Sequence, residues 1–324
     1  IWKEVLMKDI LVALVLLVIG FVLLIKGADF FVDGSSSVAK RLRVPSMIIG
    51  LTIVAMGTSL PECAVSVTAS LCNNNALAVS NVVGSNIFNL MVVCGVCTLF
   101  VPLAVSADTL KKEFPFSILC AILLVIFGKV GMLLGRADGI IFLVLFAAYL
   151  GWMIKSALSA RNSTLSVEIA EETDEEIKIW QCIVYIIGGA VAIKFGGDFV
   201  VNGASTIASS LGLSQNLIGL TIVALGTSLP ELVTSIVAAK KDEVDMALGN
   251  VIGSNIFNIL LVLGVAGAIS PVIFISENII DIVILIIMSA VVWAFAWFKK
   301  KLVRWHGVVM LASYVVYLAY ICIR

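Results

Sequence analysis

Histidine is nearly absent: His306 stands alone among 324 residues. One imidazole cannot build a His-rich metal centre, and no Ser-His-Asp set is available for nucleophilic catalysis. Charge is scarce as well. Asp, Glu, Lys and Arg make up 13% of the chain, against about a quarter in an ordinary soluble domain. Net charge is zero, so no basic excess points to nucleic acid. Phosphate-loop and dinucleotide fingerprints are missing. The seven cysteines are scattered, and Cys94-Gly-Val-Cys97 has no second C-x-x-C to complete a zinc site. Most lie in apolar runs, where cysteine behaves as a small hydrophobe. These absences argue against an enzyme and against a bound cofactor.

What is abundant is apolar side chain, 61% of the sequence. A membrane span needs about 20 apolar residues. Ten such stretches can be drawn, over residues 9–33, 46–71, 76–104, 115–134, 138–157, 179–203, 214–239, 245–272, 279–298 and 303–322. No cleavable signal pattern stands apart from the first of them. The polar stretch 159–178 carries Glu168, Glu171, Glu172, Asp174, Glu175 and Glu176 and reads as a solvated linker. With the N-terminus placed outside, fourteen Lys and Arg fall on cytoplasmic loops and five on outer ones. That asymmetry predicts both termini outside and the acidic linker inside. Lys26 and Lys194, within or near spans, are expected to snorkel toward an interface.

The sequence also repeats itself. Residues 50–95 align without a gap to 219–264, at a constant offset of 169. Gly57-Thr-Ser-Leu-Pro-Glu62 recurs as Gly226-Thr-Ser-Leu-Pro-Glu231, and Gly84-Ser-Asn-Ile-Phe-Asn89 as Gly253-Ser-Asn-Ile-Phe-Asn258. Two halves of five spans each must enter the membrane from opposite sides. The expected fold is therefore an all-α polytopic membrane protein, with ten transmembrane helices forming two inverted five-helix repeats. The first repeat covers 1–158, the linker 159–178 and the second repeat 179–324.

The duplicated motifs carry the chemistry. A carboxylate inside a span is costly enough to mark function. Pro61 removes the N–H that the Gly57 carbonyl would accept from, and Gly57 permits an unwound turn. Freed carbonyls such as that of Ala55, the hydroxyls of Thr58 and Ser59, and the Glu62 carboxylate form a set of hard oxygens suited to Ca²⁺ and similar cations. Ala224, Thr227, Ser228 and Glu231 repeat the set. Ser85 and Asn89, like Ser254 and Asn258, are four apart and share a helix face. Gly84 and Gly253 are expected to let those helices pack closely on the acidic spans. Asn81, Asn86, Asn250 and Asn255 read either as ligands or as hydrogen-bonded ties between helices. Asp29, Asp33 and Asp198 read either as interfacial anchors or as ion vestibules. Two carboxylates are neutralised by one Ca²⁺ or two Na⁺, a physical basis for exchange.

These paired motifs resemble the α-repeats of the cation/Ca²⁺ exchanger superfamily, most closely its prokaryotic sodium/calcium exchangers, over essentially the whole chain. The resemblance implies Glu62 and Glu231 as central ligands shared between Na⁺ and Ca²⁺. Thr58, Ser59, Thr227, Ser228, the Ala55 and Ala224 carbonyls, Ser85, Ser254, Asn89 and Asn258 would complete the coordination. It implies Na⁺/Ca²⁺ antiport by alternating access in the cell membrane, with the first and sixth spans sliding as a gating pair, in a protein acting as a monomer. Potassium-dependent members carry Asp where Asn258 stands, so K⁺ co-transport is not expected. A H⁺/Ca²⁺ antiporter and an acidic-lined cation channel are the alternatives.

Overall fold

A computed structural model of the chain describes residues 2–71, 75–164, 178–212 and 224–323. Nearly all of them are helical. Among them, seven helices are long and apolar enough to cross a membrane, or eight if the bent pair Ser46–Thr58 and Leu60–Thr68 is one span. Two further stretches expected to span do not reach that length. One is helix Phe114–Lys129, preceded by a π turn at Thr109–Glu113. The other is Leu229–Lys240, whose leading residues 213–223 lie outside the described set, as do Cys72 and most of the acidic linker.

The order is α1 (Trp2–Leu42), α2 (Ser46–Thr58), α3 (Leu60–Leu71), α4 (Asn75–Phe88), α5 (Cys94–Phe100), β1 (Leu103–Ala104), α6 (Phe114–Lys129), β2 (Leu133–Leu134) and α7 (Arg136–Thr164). The second half runs α8 (Ile179–Ser210), α9 (Ala224–Gly226), α10 (Leu229–Lys240), α11 (Val244–Phe257), α12 (Leu263–Ile269), β3 (Val272–Ile273), α13 (Ser276–Lys299), β4 (Lys301–Leu302) and α14 (Arg304–Ile323). The 169-residue offset persists in three dimensions. α3, α4 and β1 begin at residues 60, 75 and 103, and α10, α11 and β3 at 229, 244 and 272. The two short ladders tie the halves crosswise, β1 to β4 and β2 to β3, both antiparallel.

Burial follows from the repeat. The motif-bearing α11 is almost wholly buried, from Met246 through Phe257. Elsewhere in the core, the side chains of Ile87, Met91, Leu124 and Phe142 are also fully buried. The outward faces are also apolar, with Val18 64%, Val144 62% and Val316 70% exposed. Such an exterior is at home against lipid, where no hydrophobic effect penalises it.

α1 and α8 pair along most of their length, and both run beyond the expected spans, to Leu42 and Ser210. Glycines spaced by seven form the seam: Gly20, Gly27 and Gly34 on α1, Gly189, Gly196 and Gly203 on α8. A Cβ on Gly27 would lie 2.9 Å from the Ala192 Cβ, and one on Gly196 would lie 2.7 Å from the Leu24 nitrogen. The backbones therefore touch, the packing expected of small residues between membrane helices. The same pair covers the two helix breaks. A Cβ on Gly57 would meet Phe31 at 2.6 Å, and one on Gly226 would meet Val201 at 2.0 Å. Gly57 is itself helical, so it serves close approach rather than the unwound backbone its sequence context suggested. Gly253 packs on Leu51, but nothing lies within 4 Å of a Cβ on Gly84, so only one of the two expected contacts forms.

His306, the lone histidine, is buried. It is 2% exposed in the first turn of α14, stacks on Phe295 at 4.6 Å, and its Nδ1 accepts the Val303 N–H at 3.1 Å. Cys94 and Cys97 are buried, unpaired thiols within α5.

Candidate cation site

The broken spans place the acids. α2 ends at Thr58, Ser59 leaves the helix with φ −86° and ψ 9°, and α3 restarts at an angle of 46°. Ser228 takes nearly the same backbone, φ −94° and ψ 6°, before α10. Proline is tolerated here because it falls in the first turn of each new helix, where its missing N–H is not needed. Glu62 and Glu231 are each the third residue of that turn. Unpaired N–H groups and the positive end of the helix dipole favour a carboxylate there. The preceding segment, ending at Thr58, turns its negative end to the same break, a combination used by interrupted membrane helices to hold cations.

Both carboxyl groups are 0% exposed, and the shorter of their hydrogen bonds cross between the halves. Ser59 donates to Glu231 Oε1 at 2.8 Å, and Ser228 donates to Glu62 Oε1 at 3.1 Å. Ser85 reaches Glu62 Oε1 at 3.5 Å, the outer limit of a hydrogen bond. Its counterpart Ser254 turns instead to Asn250 Oδ1 at 3.5 Å, so the repeat is broken at this pair.

Each carboxylate then has an oxygen left over. Glu62 Oε2 and Glu231 Oε2 are buried with no hydrogen-bond partner. The same holds for Asn89 Oδ1, Asn258 Oδ1 and Thr227 Oγ1. Buried polar atoms are nearly always paired, so an unpaired set of acceptors needs a physical reason. Four of these five are two pairs related by the 169-residue offset, and all four accept only. A cation is the partner that such oxygens fit.

The asparagines divide by role. Asn86 and Asn255 each donate to the other's backbone carbonyl, at 3.1 and 3.2 Å. Their side-chain oxygens accept from Asn258 Nδ2 at 3.1 Å and Asn89 Nδ2 at 3.3 Å. With their amide nitrogens thus fixed, Asn89 and Asn258 keep their oxygens free. Asn81 and Asn250 brace the acidic helices, donating to Ser66 and Ser235 at 3.0 and 2.9 Å and to the Glu62 and Glu231 carbonyls at 3.4 Å. The structure thus gives Asn81, Asn86, Asn250 and Asn255 the tying role.

The other predicted ligands are mixed. Thr58 Oγ1 lies 3.0 Å from Asn250 Oδ1 and 3.1 Å from the Val54 carbonyl. The Ala55 carbonyl already accepts from the Ser59 N–H at 3.1 Å, so one of its lone pairs is taken. Ala224 opens the short α9. No group of three or more His, Cys, Asp or Glu gathers among the described residues, which leaves the carboxylates at two.

π turns begin at Asn89 and at Asn258, covering Asn89–Val93 and Asn258–Val262. A π turn is rare and concentrates at functional positions, because it re-aims the residue that starts it. Nothing in the residue pattern announced them. The only available signal was that Asn89 and Asn258 close the duplicated motif.

The anchors at the mouths form ion pairs. Lys241 lies 2.8 Å from Asp33 and 3.5 Å from Asp29, joining α1 to the turn after α10, and Ser36 bonds Glu243 at the same turn. Lys194 pairs with Asp198 one turn along α8.

The fold and this interior define the class: a polytopic helical membrane protein with an acidic, oxygen-lined core shared between two sequence-related halves. The particular family follows from comparison. A family model described as sodium/calcium exchanger protein matches residues 12–155 and 182–323, and the chain belongs to that family. It is 32% identical to sodium/calcium exchanger MaX1 of Methanosarcina acetivorans, over 95% of this chain and 98% of that protein. It is 34% identical to the Escherichia coli inner membrane protein YrbG, over 95% of this chain and 96% of that one. Structures of the sodium-calcium exchanger NCX_Mj superpose with a TM-score of 0.83 at 34% identity, covering 96% of this chain and 98% of that one.

Proposed function

We propose that the protein exchanges Na⁺ for Ca²⁺ across the cell membrane by alternating access, through one site built from both halves. The observation that carries this is the crosswise carboxylate pair with its repeat-related unpaired oxygens on Glu62, Glu231, Asn89 and Asn258. Thr58, Ser59, Thr227, Ser228, Ser85, Ser254 and the Ala55 and Ala224 carbonyls complete the ligand set in this reading. One Ca²⁺ or two Na⁺ neutralise two carboxylates. A site loaded with either escapes the penalty of buried, uncompensated charge, whereas an empty site retains it. If only loaded sites cross between states, the fluxes are coupled.

The architecture that suits this is ten transmembrane helices in two inverted repeats, residues 1–158 and 179–324, around a cytoplasmic linker at 159–178, with both termini outside. α1 and α8, which cover the two helix breaks and meet along a glycine seam, are the elements that would move. The chain acts as a monomer in this reading, with Ca²⁺ and Na⁺ as substrates and the bilayer as its surroundings. Reconstitution into liposomes with ⁴⁵Ca²⁺ outside tests it. Uptake driven by an outward Na⁺ gradient supports the proposal. Uptake driven only by a pH gradient makes the protein a H⁺/Ca²⁺ antiporter, and uptake without any gradient makes it a channel. A cysteine introduced within 159–178 and labelled from outside would reverse the orientation.

A further inference from the structure

A cavity of about 240 Å³ opens beside the site, between α8 and the starts of α3 and α10. Its floor is Pro61, Pro230 and Thr227, next to the two acids, and its wall carries Lys194, Asp198 and Asn202 from successive turns of α8. Thr227 supplies a buried hydroxyl with no hydrogen-bond partner. The pocket thus joins polar side chains of α8 to the two prolines that immediately precede the acids. We propose that this cavity is a cation vestibule in which the Lys194 ammonium is a tethered counter-ion for Asp198, displaced by each arriving ion, and that Lys194 thereby sets the preference between Na⁺ and Ca²⁺ at entry. The inference rests on the antiport reading above.

The geometry fits displacement. Lys194 and Asp198 are 50% and 44% exposed, so the pair is held at the mouth rather than locked inside. The Lys194 ammonium also lies 5.0 Å from the Phe195 ring centroid, which gives it a second resting place when Asp198 is occupied. The opposite half is arranged differently. At the 169-residue offset, Lys194 corresponds to Ile25, while Asp198 and Asn202 correspond to Asp29 and Asp33. Asp29 also has a lysine of its own helix, Lys26 at 3.7 Å, but both acids are bridged by Lys241 from the turn after α10. Along α8, Asp198 is paired by a lysine of its own wall.

Electrostatics sets the size of the effect. Removing a unit positive charge about 10 Å from an ion's path in water raises the local concentration of a monovalent cation about twofold. For a divalent cation the factor is squared, about fourfold. Salt screens both over a Debye length.

The test uses the full chain in liposomes, measuring half-saturating Ca²⁺ and Na⁺ for exchange at low and high ionic strength. Lys194→Gln is expected to lower half-saturating Ca²⁺ about fourfold and Na⁺ about twofold at low salt, with an unchanged maximal rate. Inert salt should close the gap. Lys194→Arg should behave as wild type, and Asp198→Asn should raise half-saturating Ca²⁺. Unaltered constants in Lys194→Gln, or a shift that is equal for both ions and insensitive to salt, would overturn the vestibule while leaving antiport intact. A wild-type protein inactive under a Na⁺ gradient would overturn antiport itself.

Discussion

Ser59 hydrogen-bonds the glutamate of the other half, not the one three residues away in its own. The perturbation that probes this is Ser59→Ala in three backgrounds: wild type, Glu231→Gln and Glu62→Gln. A hydrogen bond to a charged group contributes about 1.5–3 kcal/mol, and one to a neutral group about 0.5–1.5. Glutamine retains an acceptor oxygen but no charge. The Ser59–Glu231 coupling is therefore the difference, roughly 1–1.5 kcal/mol. For 324 residues, at about 2.1 cal/mol/K of unfolding entropy per residue, that corresponds to about 2 °C in melting temperature. The assay is thermal unfolding of the purified protein in detergent without Ca²⁺ or Na⁺. The destabilisation by Ser59→Ala should shrink in Glu231→Gln and persist in Glu62→Gln. A cycle that couples Ser59 to Glu62, or to neither acid, would refute the crosswise arrangement.

Removing either carboxylate should abolish exchange. Breaking a buried charge pairing by removing one partner costs about 3–5 kcal/mol, so Glu62→Gln and Glu231→Gln should each weaken Ca²⁺ binding roughly 10²–10⁴-fold. Wild-type flux in either variant would remove that residue from the mechanism. Gly27→Leu or Gly196→Leu should separate α1 from α8, since even a Cβ lies within 3 Å of backbone or side chain on the partner. Flux should fall at least tenfold, with a size-exclusion profile like that of wild type. Normal flux would show that this seam is not part of the moving interface.

Much of the site was legible because membrane burial makes polar residues conspicuous. Glu62 and Glu231 declared themselves as acids in apolar runs beside helix-breaking prolines, and the constant offset paired them. Their helix-restart positions followed from Pro61 and Pro230. What could not be read were features set by the neighbours of a residue. Asn86 and Asn89 look alike in the motif, yet reciprocal bonds spend the oxygen of Asn86 and spare that of Asn89. Gly57 looked like a hinge and turned out to make room for Phe31, 26 residues earlier in the chain. The glycine seam of α1 and α8 has a seven-residue period, but its antiparallel register emerges only when the two helices meet. The burial of His306 is likewise set by a neighbour, Phe295, on which it stacks.

The central claim is that one two-carboxylate site takes Ca²⁺ and Na⁺ in alternation. Equilibrium ⁴⁵Ca²⁺ binding to the purified protein over a series of Na⁺ concentrations addresses it most directly. The account predicts one Ca²⁺ per chain, with an apparent dissociation constant that rises with the second or a higher power of Na⁺ concentration. Binding that is indifferent to Na⁺, or that persists undiminished in Glu62→Gln and Glu231→Gln, would contradict it.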